Sequence, residues 1–238
     1  MKNPILVSTG SFWDGKNPLD NVEAIKKIRQ LNVDGVEITF ADPALLEGFF
    51  SNEVRNLLQK FRIVGMHLPG IKYQRNDKTS EIIRKCYCLY RLLKADYANL
   101  HMHWIKDASL FRGTRWNIVI ENGGSRHGYL VKDMQEFLKK NRRFKMVLDV
   151  NHASESGEIG EYVKKLKNKI YAVHLGGGEI PDSAGHKLFH KAPEEYLKSC
   201  EPIKKLDCPI VIESNWGNNA ELMKKELAFV RKWLKQKS

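Results

Sequence analysis

The sequence predicts an α/β protein built as one closed barrel of eight parallel strands alternating with helices, the (β/α)8 architecture. Eight short, largely apolar runs are spaced along the 238 residues, and segments with helical spacing of apolar residues separate most of them. Continuous apolar runs are typical of parallel strands that are covered on both faces. The alternative, an open doubly wound sheet, usually has a glycine-rich phosphate loop after its first strand, and Thr9-Gly-Ser-Phe-Trp13 is not such a loop.

Each predicted strand is an apolar run that ends at a turn residue or a polar side chain. The predicted strands are residues 4–9, 34–39, 62–67, 98–101, 117–121, 146–149, 170–174 and 209–213. Pro18 and Pro43 stand in the first turns of predicted helices, where a missing amide hydrogen costs nothing. The predicted helices are residues 18–31, 43–59, 78–94, 129–140, 159–166, 193–205 and 220–235.

Two connections depart from the regular alternation of strand and helix. Only residues 102–115 separate strands four and five, which is room for one or two helical turns and not for a full crossover helix. Residues 175–192 form a long predicted loop that contains three consecutive glycines. No linker, low-complexity segment or repeat interrupts the chain, so residues 1–238 are predicted to form a single domain.

Apolar segments and cysteines bear on the compartment. No apolar run approaches the roughly 20 residues of a membrane span, and the apolar stretch at residues 4–7 is too short for a secretory signal. Cys86 and Cys88 lie two residues apart on a predicted helix and therefore point to different faces. Free thiols are the expectation, because disulfides are rare in the cytosol. A cytoplasmic protein without a membrane partner is predicted.

The net charge of +12 leaves two interpretations open. Much of the lysine excess falls in helix-like stretches such as residues 164–169 and 232–237, which favours solvated helix faces. The other interpretation is a surface that meets phosphate, either on a sugar or on nucleic acid. Lys72, Arg126 and Lys187 follow predicted strands and are therefore candidates for binding a substrate phosphate. The same reasoning covers Arg75, Lys78, Lys106 and Lys191.

Seven of the eight predicted strands end in an acidic residue or a histidine. These residues are Glu37, His67, His101, Glu121, Asp149, His174 and Glu213. In a parallel barrel all of them gather at the C-terminal ends of the strands, which is where active sites of this architecture lie. His152 follows Asp149 by three residues, His103 follows His101 by two, and His186 lies in the long loop. Glu37 is also a candidate for binding the substrate or its phosphate, and its alternative role is that of a polar group that positions loops.

Carboxylates and neutral imidazoles together are the ligands of a divalent ion such as Mn²⁺, Zn²⁺, Co²⁺, Fe²⁺ or Mg²⁺. No cysteine takes part, which argues against a structural zinc site. Two glutamates beside such an ion also suit proton transfer, because the cation keeps them ionised and polarises a substrate oxygen.

These residues resemble the motifs of the xylose-isomerase-like TIM barrels. The motifs are Glu121, Asp149-x-x-His152, His174, Glu213, Met66-His67-x-Pro69 and the segment from Ala95 to His101. The resemblance extends from Ile5 to Trp216. This superfamily contains sugar and sugar-phosphate isomerases and epimerases and the endonuclease IV class of abasic-site nucleases, also called AP endonuclease family 2.

The two branches imply different uses of the same residues. In the isomerase branch the resemblance implies one ion held by Glu121, Asp149, His174 and Glu213, with Glu121 and Glu213 exchanging a proton with a substrate carbon. His152 would hold a substrate oxygen. In the endonuclease branch it implies up to three zinc ions: one on His67, His101 and Glu121, one on the four-residue set, and one on His152 with an Asp-x-His pair after strand seven.

The chain departs from both patterns. The Asp-x-His pair reads Ala184-Gly-His186, so its aspartate is missing unless Asp182 replaces it. The arginine that ketose epimerases have after the strand-seven histidine is absent, since Gly176-Gly-Gly-Glu-Ile180 follows. The first hypothesis is a metal-dependent isomerase or epimerase of a small sugar or sugar phosphate that uses one ion. The alternative is an abasic-site nuclease or phosphodiesterase with a nucleic-acid partner, and a third is a silent ligand-binding barrel. The sequence does not specify the oligomeric state.

Overall fold

A computed structural model describes residues 3–13, 20–112, 115–123, 129–180 and 185–236, and its strands form a closed barrel in which each strand pairs in parallel with the next and β8 pairs with β1. The predicted (β/α)8 fold is therefore confirmed. The strands are β1 Ile5–Ser8, β2 Gly35–Thr39, β3 Ile63–His67, β4 Tyr97–His101, β5 Ile118–Glu121, β6 Lys145–Asp149, β7 Ile170–Leu175 and β8 Ile210–Ile212. Each agrees with its predicted run to within one or two residues at either end.

Helices pack around the barrel. They are α1 Asn21–Ile28, α2 Asn52–Leu58, α3 Asp77–Leu92, α4 Val131–Lys140, α5 Val150–Ser154, α6 Ile159–Leu166, α7 Glu194–Cys200 and α8 Ala220–Lys235. None of the described helices is long and apolar enough to cross a membrane. Most begin at a polar cap whose side chain accepts a backbone amide hydrogen. Examples are Asp20 for α1, Ser51 for α2 and Asn219 for α8.

Two predicted helices are divided in the structure, and one short helix was not predicted. Residues 43–59 form a 3-10 helix, Pro43–Phe49, and then α2. The second helix starts anew because Ser51 is its N-cap, with a side chain that accepts a hydrogen bond from the amide of Val54. Residues 193–205 likewise divide into α7 and a 3-10 helix, Glu201–Lys205, at whose start Pro202 has no amide hydrogen to continue α7. The short helix α5 was not predicted; it starts directly after β6, with Asp149 accepting a hydrogen bond from the amide of His152 at 2.9 Å.

The connection between β4 and β5 contains two 3-10 turns, Met102–Trp104 and Ala108–Phe111, and no α-helix among its described residues, as the sequence predicts. Aromatic side chains cover the barrel there in place of a helix. Phe111 is fully buried, and its ring lies 5.5 Å from that of Tyr73 and 6.1 Å from that of Trp116.

The barrel interior explains why the strand ends form one site. Fully buried side chains from six strands meet inside it: Leu6, Tyr97, Val119, Val147, Ala172 and Val211. Side chains along a strand alternate between its two faces. Two residues beyond this layer the interior-facing positions are therefore Glu121 on β5, Asp149 on β6, His174 on β7 and Glu213 just after β8. One apolar layer thus supports the polar layer at the mouth.

Gly65 on β3 makes room for the one large ring in that interior layer. A Cβ atom at this position would lie 2.4 Å from Cζ of Tyr97. The Tyr97 hydroxyl in turn donates a hydrogen bond to Oε2 of Glu37 at 2.6 Å. Gly65 is therefore needed for the contact between Tyr97 and Glu37.

Gly65→Ala is expected to lower the free energy of unfolding by about 1–3 kcal/mol, since an added methyl group overpacks a closed interior. Urea denaturation measures the change. Gly48→Ala is the matched control, because a Cβ atom there meets nothing within 4 Å. Equal effects of the two substitutions would contradict the packing argument.

Candidate metal centre

The side chains of the polar layer meet around His174 at the C-terminal mouth of the barrel. Nδ1 of His174 lies 2.9 Å from Oε2 of Glu213 and 3.4 Å from Oε2 of Glu121. Glu121, Asp149 and His174 each offer one ligand atom within 4.8 Å of the others. Ligands about 2.1 Å from one tetrahedral ion lie about 3.4 Å from each other. The spacing of Glu121, Asp149 and His174 therefore suits a divalent ion. Glu213 forms a separate group with His174 and Glu37 and approaches the same nitrogen of His174.

Unused hydrogen-bonding atoms at this point support the same conclusion. Oδ2 of Asp149 is buried and makes no hydrogen bond with any described residue, and Nδ1 of His174, although close to Glu213, makes none of normal geometry. Buried polar atoms are normally satisfied, so such atoms indicate a missing partner. The other parts of Asp149 are held firmly, since Oδ1 accepts from the amide of His152 and the backbone pairs with the Asn122 side chain. These residues fit a metal ion that bonds the unused atoms.

Glu37 lies behind His174, where it is fully buried. Its Oε1 is 3.2 Å from Nε2 of His174, and Tyr97 donates to its Oε2. A carboxylate behind a metal-binding histidine fixes the ring orientation and leaves the other nitrogen for the ion. Burial alone would lower the pKa of His174, but the charges of Glu213, Glu37 and Glu121 outweigh it and raise the pKa. The structure thus brings Glu37 to His174 and not to the open cavity.

A second group, His67, His101 and Glu121, shares Glu121 with the first. Nε2 of His67 lies 3.3 Å from Oε2 of Glu121, and Nδ1 of His101 lies 3.4 Å from Oε1. Nδ1 of His67 is 3.1 Å from the carbonyl oxygen of Leu68 and donates to it, so Nε2 is the nitrogen that faces Glu121. Asn99 also donates to Oε2 of Glu121. This group has the ligand types and spacing of another cation site.

A third group contains His152, His186 and a carboxylate that the sequence analysis did not assign to the site. Oε1 of Glu179 lies 2.9 Å from Nδ1 of His152 and 3.4 Å from Nε2 of His186. The ligand atoms of Asp149, His152 and His186 also lie within 4.8 Å of one another. Ala184 and Asp182, where the missing aspartate was sought, fall outside the described residues.

Asn151 determines which ring nitrogen of His186 carries the hydrogen. The amide of Gly178 donates to Oδ1 of Asn151 at 3.0 Å, so the Asn151 side chain turns Nδ2 toward Nδ1 of His186, 3.1 Å away. An amide nitrogen donates, hence Nδ1 of His186 accepts and its hydrogen lies on Nε2, toward Glu179. Glu179 therefore fits as an acceptor that ties His152 and His186 together. The third group fits an ion less well than the other two.

A cavity of about 380 Å³ opens above the first group. Glu121 and Glu213 line it, together with His67, His101, His103, His152, His186 and the half-buried Trp13 and Trp104. Asp149 and His174 lie beneath this surface and are fully buried. No lysine or arginine is among the described residues that line the cavity. Lys72 and Lys187 are exposed outside its lining, and Arg126 falls outside the described residues, so the phosphate role of all three stays a prediction.

Comparison with known proteins finds similar solved structures. No protein-family model and no curated protein matches the chain. D-allulose 3-epimerase from Methylomonas sp., solved with D-allulose, matches over 97% of both chains at 14% identity and a TM-score of 0.69. Endonuclease IV from Thermus thermophilus matches over 97% of this chain and 98% of that one at 15% identity, with a TM-score of 0.65. A xylose isomerase domain containing protein from Salmonella typhimurium covers 99% and 98% at 15% identity, TM-score 0.67.

The chain has the fold of the xylose-isomerase-like TIM barrels. At such identities the likeness shows the fold alone, so the activities of these neighbours remain theirs. Within this barrel, the sequence predicted the residues at strand ends and did not predict those that orient them. Asn99 lies within the predicted strand 98–101 and Tyr97 directly precedes it, and the alternation of these two residues with His101 was the available signal. Glu179 had no such signal, because it lies in a predicted loop.

The histidines at the mouth of the barrel predict how the stability of the protein without an ion depends on pH. Burial lowers the pKa of His67 and His152, but Glu121 outweighs it for His67, and Asp149 and Glu179 for His152. Their pKa values rise to about 9 and about 10. A folded pKa above the unfolded value of about 6.5 stabilises the fold fully below pH 6.5, and this contribution is lost as pH rises through 9 to 10.

The EDTA-treated protein is therefore expected to unfold at progressively lower urea concentration between about pH 6.5 and pH 9.5. Mn²⁺ or Zn²⁺ should flatten this dependence, because the ion takes the place of protons. His67→Gln should also reduce the slope in EDTA. A midpoint that rises with pH in EDTA would contradict the assignment.

Proposed function

We propose that the protein is a divalent-metal-dependent isomerase or epimerase of a small sugar or sugar phosphate. The observation that carries the proposal is the position of two glutamates. Glu121 and Glu213 are the two members of the four-residue set that line the cavity, while Asp149 and His174 lie below them. They end β5 and follow β8, three strands apart around the barrel. A sugar in the cavity would have a carboxylate on each side.

Two facing carboxylates suit the movement of a proton at carbon. One glutamate oxygen takes the proton from the carbon next to a carbonyl group, and the other glutamate returns a proton. Return to the other face of the same carbon inverts it, as in an epimerase, and return to the neighbouring carbon moves the carbonyl, as in an isomerase. A bound divalent ion would polarise the carbonyl oxygen. Asp149 and His174, backed by Glu37, would hold that ion.

The cavity lining supports an uncharged sugar more than a phosphorylated one. No described lining residue is cationic, whereas phosphate sites normally use arginine, lysine or a helix N-terminus. Histidine, serine, asparagine and tryptophan side chains line the walls instead, among them Ser8, Asn215, Trp13 and Trp104. Such groups hydrogen-bond and stack on a polyhydroxyl chain. The likeness to an epimerase solved with D-allulose is consistent with this substrate class.

A phosphodiesterase of the endonuclease IV type is the second candidate, favoured by the group His67, His101 and Glu121. A single-ion isomerase does not need this group, while a nuclease uses several ions around a scissile phosphate. Two observations weigh against the nuclease. The described cavity lining lacks cations, and Asn151 together with Glu179 engages the histidines of the third group.

One preparation tests both candidates. The Mn²⁺- or Co²⁺-loaded protein is incubated in D₂O with a panel of ketoses and ketose phosphates, and deuterium at carbon is followed by NMR. The same protein is incubated with a duplex that contains one abasic site, with and without EDTA. We expect deuterium incorporation into a ketose and no incision. EDTA-sensitive incision without exchange into any sugar would replace the first candidate by the second. The cytoplasmic location and the single-domain organisation stay predictions.

A further inference from the structure

A dense group of cations lies at the end of the barrel opposite the candidate metal centre. Two chain segments form what we name the basic corner: Lys139, Lys140, Arg142, Arg143, Lys145, Lys164, Lys165, Lys167 and Lys169. They precede β6 and β7, whose other ends carry Asp149 and His174. Nζ of Lys169 donates to the carbonyl oxygen of Arg142 at 2.8 Å, so the two segments are in contact.

Acidic residues are absent from the basic corner itself. Between Glu136 and Asp149, and again between Glu161 and Glu179, the sequence contains no aspartate or glutamate. The corner thus holds nine cations in a chain whose whole net charge is +12. All nine side chains are exposed except that of Lys169, which is half-buried.

The acidic residues that pair with cations of the basic corner lie only at its outer edge. Glu136 pairs with Lys140 at 2.5 Å, and Glu161 pairs with Lys165 at 2.8 Å and lies 3.8 Å from Lys164. Four other cations of the corner form no ion pair with any described residue: Lys139, Arg142, Lys145 and Lys167.

Helix chemistry accounts for part of this pattern only. Cations in the last turn of a helix interact favourably with its C-terminal carbonyl groups, which explains Lys139 and Lys140 on α4 and Lys164 and Lys165 on α6. The remaining five cations follow the ends of those helices. An ordinary solvated face in this protein mixes charges, as on α7, where Glu194 pairs with Lys198 at 2.8 Å. The corner is built differently.

We propose that the basic corner binds the phosphate backbone of a nucleic acid without regard to base sequence. Closely spaced cations release the counterions condensed on a polyanion, and that release drives such binding. Arg142 and Arg143 add forked donors that match phosphate oxygens. The proposal is independent of the reaction at the mouth, because the nucleic acid would bind at the far end of the barrel. Its role there would be to anchor the protein, and it would not be the substrate.

The lack of exposed apolar side chains favours nucleic acid over a membrane surface. Peripheral membrane segments usually add apolar groups that enter the lipid. Phe144, within the corner, is buried, and the one exposed large apolar side chain among the described residues is Phe50, in the connection between β2 and α2. A phosphate backbone can be bound by charge and forked hydrogen bonds alone, without apolar contacts.

Fluorescence anisotropy tests the proposal with a labelled single-stranded RNA of mixed sequence and with a DNA duplex of that sequence. The metal-loaded full chain is titrated from about 50 to 300 mM salt. We expect micromolar binding at the lowest salt and a slope of log affinity against log salt of about −3 to −5, as four to six phosphate contacts predict. EDTA should not weaken the binding, since the corner lies away from the mouth.

Matched charge changes locate the surface. The triple variant Arg142→Gln, Arg143→Gln, Lys167→Gln should weaken binding at least tenfold and reduce the slope by about 2. The control triple variant Lys224→Gln, Lys225→Gln, Lys232→Gln removes the same charge from exposed positions of α8 and should stay within twofold of the unsubstituted protein. Thermal unfolding confirms that both variants fold. Equal weakening by the two variants would overturn the proposal. So would the absence of salt-dependent binding, or binding to vesicles with about 30% anionic lipid in place of nucleic acid.

Discussion

Glu213→Gln is expected to lower the rate of deuterium exchange into the responsive ketose by about 10²- to 10⁴-fold, the range for loss of a positioned general base. Glu213 lines the cavity, and its Oε2 lies 2.9 Å from Nδ1 of His174. Glutamine keeps the size and one oxygen of the side chain, but it cannot accept a proton from carbon. The loss should appear in the turnover rate at saturating sugar.

Two controls separate loss of the base from loss of the ion. Metal analysis after gel filtration should find the ion still present in Glu213→Gln, since Glu121, Asp149 and His174 remain, although removing a charged ligand weakens binding. Exchange is therefore measured at saturating Mn²⁺. Glu221→Gln, at an exposed position of α8, should exchange at the original rate. A Glu213→Gln variant with full metal and undiminished exchange would show that Glu213 is not the base.

The barrel and the mouth residues were predictable because both depend on simple periodicities. A parallel strand buried on both faces has to be a continuous apolar run, and eight such runs identified eight strands. The strand order of a barrel then brings every strand end to one rim. His67, Glu121 and His174 could therefore be grouped without a structure, although they lie more than fifty residues apart in sequence.

Loop conformation was the part that the sequence did not predict. Glu179 meets His152 and His186 because residues on either side of the connection pair with each other, as the amide of Lys187 donates to the carbonyl oxygen of Gly178 at 2.7 Å. Such pairing follows no period along the chain. The tautomer of His186 depends in the same way on the orientation of the Asn151 side chain. Spacing rules find ligands on strands more readily than the groups that orient them.

The net charge shows a second limit of prediction from the sequence, because it does not say where on the protein the cations lie. A net charge of +12 favoured a phosphate-binding mouth as one interpretation, yet the densest run of cations precedes β6 and β7 and lies at the opposite end. Composition gives the amount of charge and only the fold gives its place. Polar residues at the C-terminal ends of strands and cations at the N-terminal ends make the two ends of this barrel chemically distinct.

Glu226→Ala is expected to lower the free energy of unfolding by about 3–5 kcal/mol, the cost of removing one partner from a buried polar network. Glu226 lies on α8 and is fully buried. Its oxygens accept the backbone amides of Phe189 at 2.7 Å and His190 at 2.9 Å, and they also contact Nδ1 of His190 and the hydroxyl group of Ser214. One side chain thus joins the connections that follow β7 and β8 to the last helix.

Alanine at this position leaves two amides, an imidazole and a hydroxyl group without their acceptor in a closed space, which is why the effect should be large. Urea denaturation at pH 7 measures it. Glu226→Gln keeps one acceptor oxygen, so its free energy of unfolding should lie between those of the unsubstituted protein and Glu226→Ala. Glu221→Ala, at an exposed position of the same helix, should change the free energy of unfolding by less than about 0.5 kcal/mol. A loss below about 1 kcal/mol for Glu226→Ala would mean that α8 does not hold these connections, and that the loop with Glu179 and His186 is supported by the barrel rim alone.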